Sequence, residues 1–149
     1  MSSTTSSKIQ KFIESFPINT VYKKCCSKNR SFLVAMTKGV LHNEERPGIV
    51  CKNFAKFRTN VVWTLGIIDI ATGEEHQSVY HVNPAHDYSA NYICGESTYP
   101  TSFNYDVTLV CAEGIHYFTN ADAALIYDIE SGCVPGYYPN GKKCIYPEN

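Results

Sequence analysis

Apolar residues recur at helical spacing twice in this chain, and between those two stretches they fall into short runs typical of strands. Ile9, Phe12, Ile13 and Phe16 stand at i, i+3, i+4 and i+7 in KIQKFIESF, one face of a short helix that Pro17 ends. A helix of about nine residues is not stable alone in water, so this stripe must dock. It docks either on its own domain or, as an anchoring arm, in a partner's groove. The preceding Met1–Ser7 is a Ser/Thr-rich tail, predicted to be disordered by itself. From Thr20 the pattern predicts strands at TVYKKC and SFLVAMT, separated by the polar SKNR. GVLHNEERPG (Gly39–Gly48) reads as a polar loop, and Cys51–Phe57 as an ambiguous apolar segment. VVWTLGIIDI is near-continuously apolar, as a strand covered on both faces would be, with Trp63 in the core and Gly66 marking a bulge or a close backbone approach. DIATGEEH predicts a hairpin with Gly73 in the left-handed position, followed by a weakly alternating SVYHV. NPAHDYSANYICGE begins as loop and ends in a short strand at NYIC, while Pro100 keeps YPTSF out of a central strand. DVTLVC (Asp106–Cys111) predicts a strand, AEG a turn and IHYF another strand. The second helical stretch, TNADAALIYDIE, has Thr119 as its cap, Asp122 completing an approximate capping box, Leu125, Ile126 and Ile129 as its packing stripe, and Gly132 as its stop. Asn140-Gly141 is a hairpin signal.

Composition changes this picture little. A chain of 149 residues buries roughly 68–70% of its unfolded surface, enough for one domain with its own core. The reading is a single α+β domain, mainly antiparallel sheet with one N-terminal and one C-terminal helix and a small C-terminal hairpin. Residues 1–19 form the tail and short amphipathic helix, 20–130 the β-rich body, and 131–149 a hairpin extension of the same domain. The net charge of −1 carries no basic stripe, and no nucleic-acid partner is expected. No secretory signal and no transmembrane segment are expected from MSSTTSSK or from the longest apolar run. Eleven of the nineteen aromatics are tyrosine, which suits surfaces that are half buried or in contact with other proteins.

Seven cysteines (Cys25, Cys26, Cys51, Cys94, Cys111, Cys133 and Cys144) are many for a cytosolic chain, and the odd number leaves at least one unpaired or linked to another chain. None forms C-x-x-C, and reduced cysteines packed as small hydrophobes are the plain reading. A hairpin hinged near Asn140 would bring Cys133 and Cys144 near each other, where a disulfide would close a short loop, against the reducing default of a cytosol.

Four segments, VYKKC (Val21–Cys25), the Cys51–Asp69 block, NYICGESTYPTSFNYD (Asn91–Asp106) and C-x-x-GIHYF with the alanine-rich helix behind it, resemble in their order a small uncharacterised domain family of giant viruses, the nucleocytoplasmic large DNA viruses. In that family the domain is often found alone or beside pentapeptide repeats. Cys26 and the Cys133–Cys144 segment depart from the pattern. YYPNGKK is similar to one unit of a membrane-occupation-and-recognition-nexus repeat, a motif that acts only in stacked arrays. The resemblance implies a viral origin, synthesis in host cytoplasm and residence in the virion. It implies no activity and no catalytic residues.

Candidate chemistry is sparse. Cys111 and His116, five apart across a glycine turn, form the one conceivable thiolate–base pair, and nucleophilic use would need a pocket and a lowered thiol pKa. Cys51, Cys94, Cys111 and His86 or His116 lack the paired spacing of structural zinc sites. Asp87, Glu96, Asp106 and Glu113 read as solvated loop carboxylates. The expectation is therefore no catalytic residue, no metal, no cofactor and no small-molecule substrate. The chain is read as a non-enzymatic late virion component, a small capsid-associated or minor capsid protein whose partners are other virion proteins and whose arm (Ile9, Phe12, Ile13, Phe16) orders on a neighbour. The alternatives are a soluble infected-cell protein that binds a host or viral partner, and a cysteine-dependent enzyme.

Overall fold

The computed structural model describes residues 3–83, 88–132 and 134–143. In chain order the elements are α1 (Ser3–Glu14), β1 (Val21–Ser27), β2 (Arg30–Lys38), β3 (Phe57–Thr59), β4 (Val62–Asp69) and β5 (Glu75–His76). They continue as β6 (Ser78–Asn83), β7 (Tyr88–Ile93), β8 (Ser97–Thr98), β9 (Ile115–Tyr117) and α2 (Ala121–Ile126). The fold is α+β, two helices on a mainly antiparallel sheet. The main sheet runs β1-β2-β4-β5, with β8 also paired to β4, and two ribbons, β3–β9 and β6–β7, stand apart from it.

Local chemistry explains the register. Lys28 and Asn29 have φ of 52° and 64°, so the polar SKNR is a two-residue turn of the twist that hairpins favour, and Ser27 pairs with Arg30. Between β2 and β4 the register slips: Ala35 faces Gly66 but Met36 faces Thr64, leaving Leu65 as the extra residue of a bulge. The β4–β5 hairpin turns on Asp69, which is buried. Its Oδ1 accepts from the Ala71 and Thr72 amides and its Oδ2 from Arg30. Gly73 takes a φ of 75° there.

Alternation splits the main sheet's side chains into two layers. Tyr22, Leu33, Ala35 and Ile68 pack with Ile9 and Phe12 of α1 and with Ala121, Ala123 and Ala124 of α2. On the opposite face Val21, Cys25, Phe32, Val34, Met36, Val62 and Ile67 meet the two ribbons through Phe57, Ile115, Tyr117, Val79 and Tyr92. The sheet is thus covered by helices on one side and by ribbons on the other.

Several expectations change. The helix starts at Ser3, so most of the Ser/Thr tail is helical. Its apolar stripe is not an arm: Ile9 and Phe12 are buried on the chain's own sheet, and Ile13 and Phe16 pack partly against the same cluster. The reason is Gly66, whose missing side chain makes the seat, since a Cβ there would lie 2.6 Å from Phe16 Cζ and 3.0 Å from Phe12 Cε1. Gly66→Ala is accordingly expected to cost about 1–3 kcal/mol by overpacking. Amide exchange should accelerate in α1 before it does in β1–β2, and an unchanged α1 would contradict this seating.

Asp106–Cys111 is not a strand. The Asp106 carboxylate accepts from the Thr108 amide and hydroxyl, and Asn104 Oδ1 accepts from the Asp106 amide, so local side chains bend the segment. Helix α2 is capped by Asn120, not Thr119: its Oδ1 accepts from the Asp122 and Ala123 amides. The helix stops at Ile126 and packs through its alanines, leaving Ile126 half exposed, while Gly132 closes a later turn onto the Asp128 carbonyl. Trp63 is 47% exposed and not in the core. The C-terminal turn does form, with Tyr138 N donating to Lys142 O. Gly141 abuts Cys51, and Tyr137 stacks on Phe54 at 4.1 Å.

Candidate functional site

Strand β1 is the outer strand of the main sheet. At one end Tyr22 and Phe118 exchange two backbone hydrogen bonds of 2.8 Å. At the other, the Cys26 amide donates to His81 Nδ1 at 2.9 Å. Between these closures lies a cleft of about 430 Å³. Lys23 and Lys24 of β1, Lys56 ahead of β3, His81, His116 and the 111–114 turn form its walls, with Phe118, Tyr127 and Pro100 as apolar surface.

The three ammonium groups are each pinned to a carbonyl: Lys23 Nζ donates to His116 O at 3.0 Å, Lys24 Nζ to Tyr127 O at 3.0 Å and Lys56 Nζ to Gly132 O at 3.1 Å. Lys56 also sits 5.3 Å from the centre of the Tyr127 ring. Burial pulls the Lys23 pKa down to about 8, with the Lys56 cation adding to the fall and Cys25 opposing it. Burial and then the Lys23 cation bring His81 to about 3. His116 is held well below the ordinary imidazole value by burial and by Lys56 and Lys23. Both imidazoles are therefore neutral at physiological pH, and the Cys26 amide on Nδ1 sets the Nε2–H tautomer of His81. His116 Nε2 is buried with no hydrogen-bond partner among the described residues.

The wall opposite β1 is held by an arginine. In the β3–β9 ribbon Arg58 stands opposite His116, and alternation turns both away from Phe57 and Tyr117. The Arg58 guanidinium is fully buried and donates to four carbonyls, those of Leu109, Asn104, Glu113 and Asp106, at 2.6–3.1 Å. Phe103 covers it, with 5.0 Å from Cζ to the ring centre. Asn43 adds a strut, accepting from Arg58 N and donating to Leu109 O, both at 2.9 Å. A second buried polar knot joins Glu44 to Lys38, Lys52 and the Tyr117 hydroxyl. The polar loop Gly39–Gly48 thus supplies buried Asn43, Glu44 and Arg46.

The residues singled out from the sequence are distributed unevenly. Cys111 is exposed at the cleft's lip and His116 lines its wall, yet no hydrogen bond joins them among the described residues. Glu113 also lines the cleft, and Asp106 caps its own turn. Among the described residues no three His, Cys, Asp or Glu side chains gather as a metal-binding group, so Cys51, Cys94 and Cys111 are not brought together as one. His86, Asp87, Cys133 and Cys144 lie outside the described residues, and the Cys133–Cys144 pairing with them. Lys23, Lys24, Lys56 and His81 escaped the sequence reading because they occupy no motif spacing. The run KK in a strand was the only hint of them.

A profile described as a family of unknown function (DUF5758) matches residues 8–124, well over half of the chain. The chain belongs to the DUF5758 family. No curated protein and no solved structure matches it. The DUF5758 span runs from within α1 to within α2 and takes in every strand of the fold. It includes the lysines, histidines and 111–114 turn of the cleft, whereas Tyr127 and Ile129 of the rim lie beyond it.

Proposed function

We propose that this DUF5758 protein is a non-enzymatic structural component of a large DNA virus particle, a small capsid-associated or minor capsid protein made in host cytoplasm and acting through contacts with other virion proteins. The observation that carries the reading is an aromatic corner on the main sheet. Trp63 pairs with Ser97 of β8, Tyr99 follows that strand directly, and the two side chains are 47% and 70% exposed. Large rings at the core of a contact patch are what protein interfaces enrich. The four-segment resemblance to the giant-virus family supplies the particle context.

Trp63 is the only tryptophan, so it reports on its own corner. Its emission in the isolated chain is expected to be solvent-like and quenched by iodide, and to shift blue with loss of quenching when the partner docks. Trp63→Glu should keep the circular dichroism of the folded chain and remove the chain from particles. Mass spectrometry of purified virions is the direct check. Absence from particles together with early expression would sink the reading in favour of an infected-cell binding protein.

A further inference from the structure

We infer that the cleft along the open edge of β1 is a binding site for a small organic phosphate monoester carrying a flat apolar body. Three lysines from two separate parts of the chain and one carboxylate, Glu113, line it, a balance of 3 − 1 = +2. A phosphate monoester carries about −1.5 to −2 at neutral pH, so its head matches that excess. The neutral state of His81 and His116 keeps the balance from rising further. Lysine binds phosphate as a point charge, and an ammonium has three N–H groups. The carbonyls that pin Lys24 and Lys56 each take one of these. Those pins also remove much of the entropic cost of gathering the ammonium groups around a ligand.

The rest of the wall suits the body of such a ligand. Phe118, Tyr127, Pro100 and Ile129 give it apolar surface, and Thr101 and Ser102 place hydroxyls at the rim. The unpartnered His116 Nε2 adds one neutral polar atom. About 430 Å³ falls in the range of small-molecule sites and is far below what a folded partner would need. The particle reading and this one are independent, and either can fail alone.

Phenyl phosphate is the probe, measured by calorimetry on the full chain, with inorganic phosphate, benzoate and phenol for the head, the single charge and the ring. Phenyl phosphate is expected to bind at least about tenfold more tightly than each of the three, a difference of about 1.4 kcal/mol. Lys24→Gln should weaken it by about tenfold or more, while Lys11→Gln on α1 should leave it unchanged. Cys111 gives a local signal: phenyl phosphate should slow its alkylation by iodoacetamide. Should Lys24→Gln fail to fold by circular dichroism, protection of Cys111 in the unaltered chain decides alone. Binding undiminished in Lys24→Gln, equal affinity for phenol, or a Cys111 alkylation rate indifferent to the probe overturns the inference.

Discussion

Arg58→Met is expected to lower the melting temperature by roughly 6–20 °C. The change removes the donors to four carbonyls at once, those of Asn104, Asp106, Leu109 and Glu113, and all four bonds come from one buried guanidinium. A hydrogen bond from a charged donor contributes on the order of 1 kcal/mol net, so about 3–5 kcal/mol is lost when all four go together. For a chain of this size each kcal/mol moves the midpoint by about 2–4 °C. Methionine keeps most of the volume over Phe103, so the loss would report hydrogen bonding and not a cavity. Arg58→Lys should recover less than half of it, because an ammonium cannot spread its donors over carbonyls from four positions. Limited proteolysis should cut first in 103–114. A melting shift under about 2 °C would show that the loop has other anchors.

The second large effect concerns Glu44. Burial raises its pKa, but the hydrogen bonds from Lys38, Tyr117 and Lys52 outweigh that and hold it at about 2. Because the folded state binds this proton more weakly than the unfolded chain does, the stability it contributes is complete above about pH 4.5. It is lost as pH falls from there towards 2. The depression from 4.5 to about 2 corresponds to about 3 kcal/mol. Lys52 is half in water, so its share is screened and the working figure is about 2–3 kcal/mol. Asp69 acts in the same direction: burial raises its pKa, but the bonds from Arg30 and the Ala71 and Thr72 amides bring it below the ordinary value. Glu44→Gln should cost about 2–4 kcal/mol at pH 7, since it leaves Lys38 partly buried without its counter-charge. The gap between the two proteins should shrink as pH drops below 4.5, because the other carboxylates titrate in both and Glu44 only in the parent protein. Urea midpoints at stepped pH measure this, and a gap constant from pH 7 to pH 3 would refute the role given to Glu44.

These two side chains make the cleft a supported one. Arg58 holds the 103–114 segment that forms one lip, and Glu44 secures Tyr117, which precedes Phe118 at the β1 closure. A site carried on such anchors is preorganised, which favours binding. The expectation of no small-molecule substrate came from motif spacing. The lysine cleft gives a concrete reason to test a ligand.

What could be read along the chain was local. The polar break at SKNR, Gly73, Asn140-Gly141 and a bulge or close approach at Gly66 were legible because turn geometry depends on residues within a few positions. The α+β class followed from the same signals. What distant contact decided was hidden. Glu44 meets Tyr117 73 residues away, Asn43 meets Leu109 66 away, and Lys23 meets His116 93 away. A polar loop therefore became part of the interior, a strand-like DVTLVC bent around a buried guanidinium, and an arm-like helix settled on its own sheet. Nearest-neighbour chemistry specifies a turn. Where a charge or an apolar face ends up depends on which remote backbone it meets once the chain has closed.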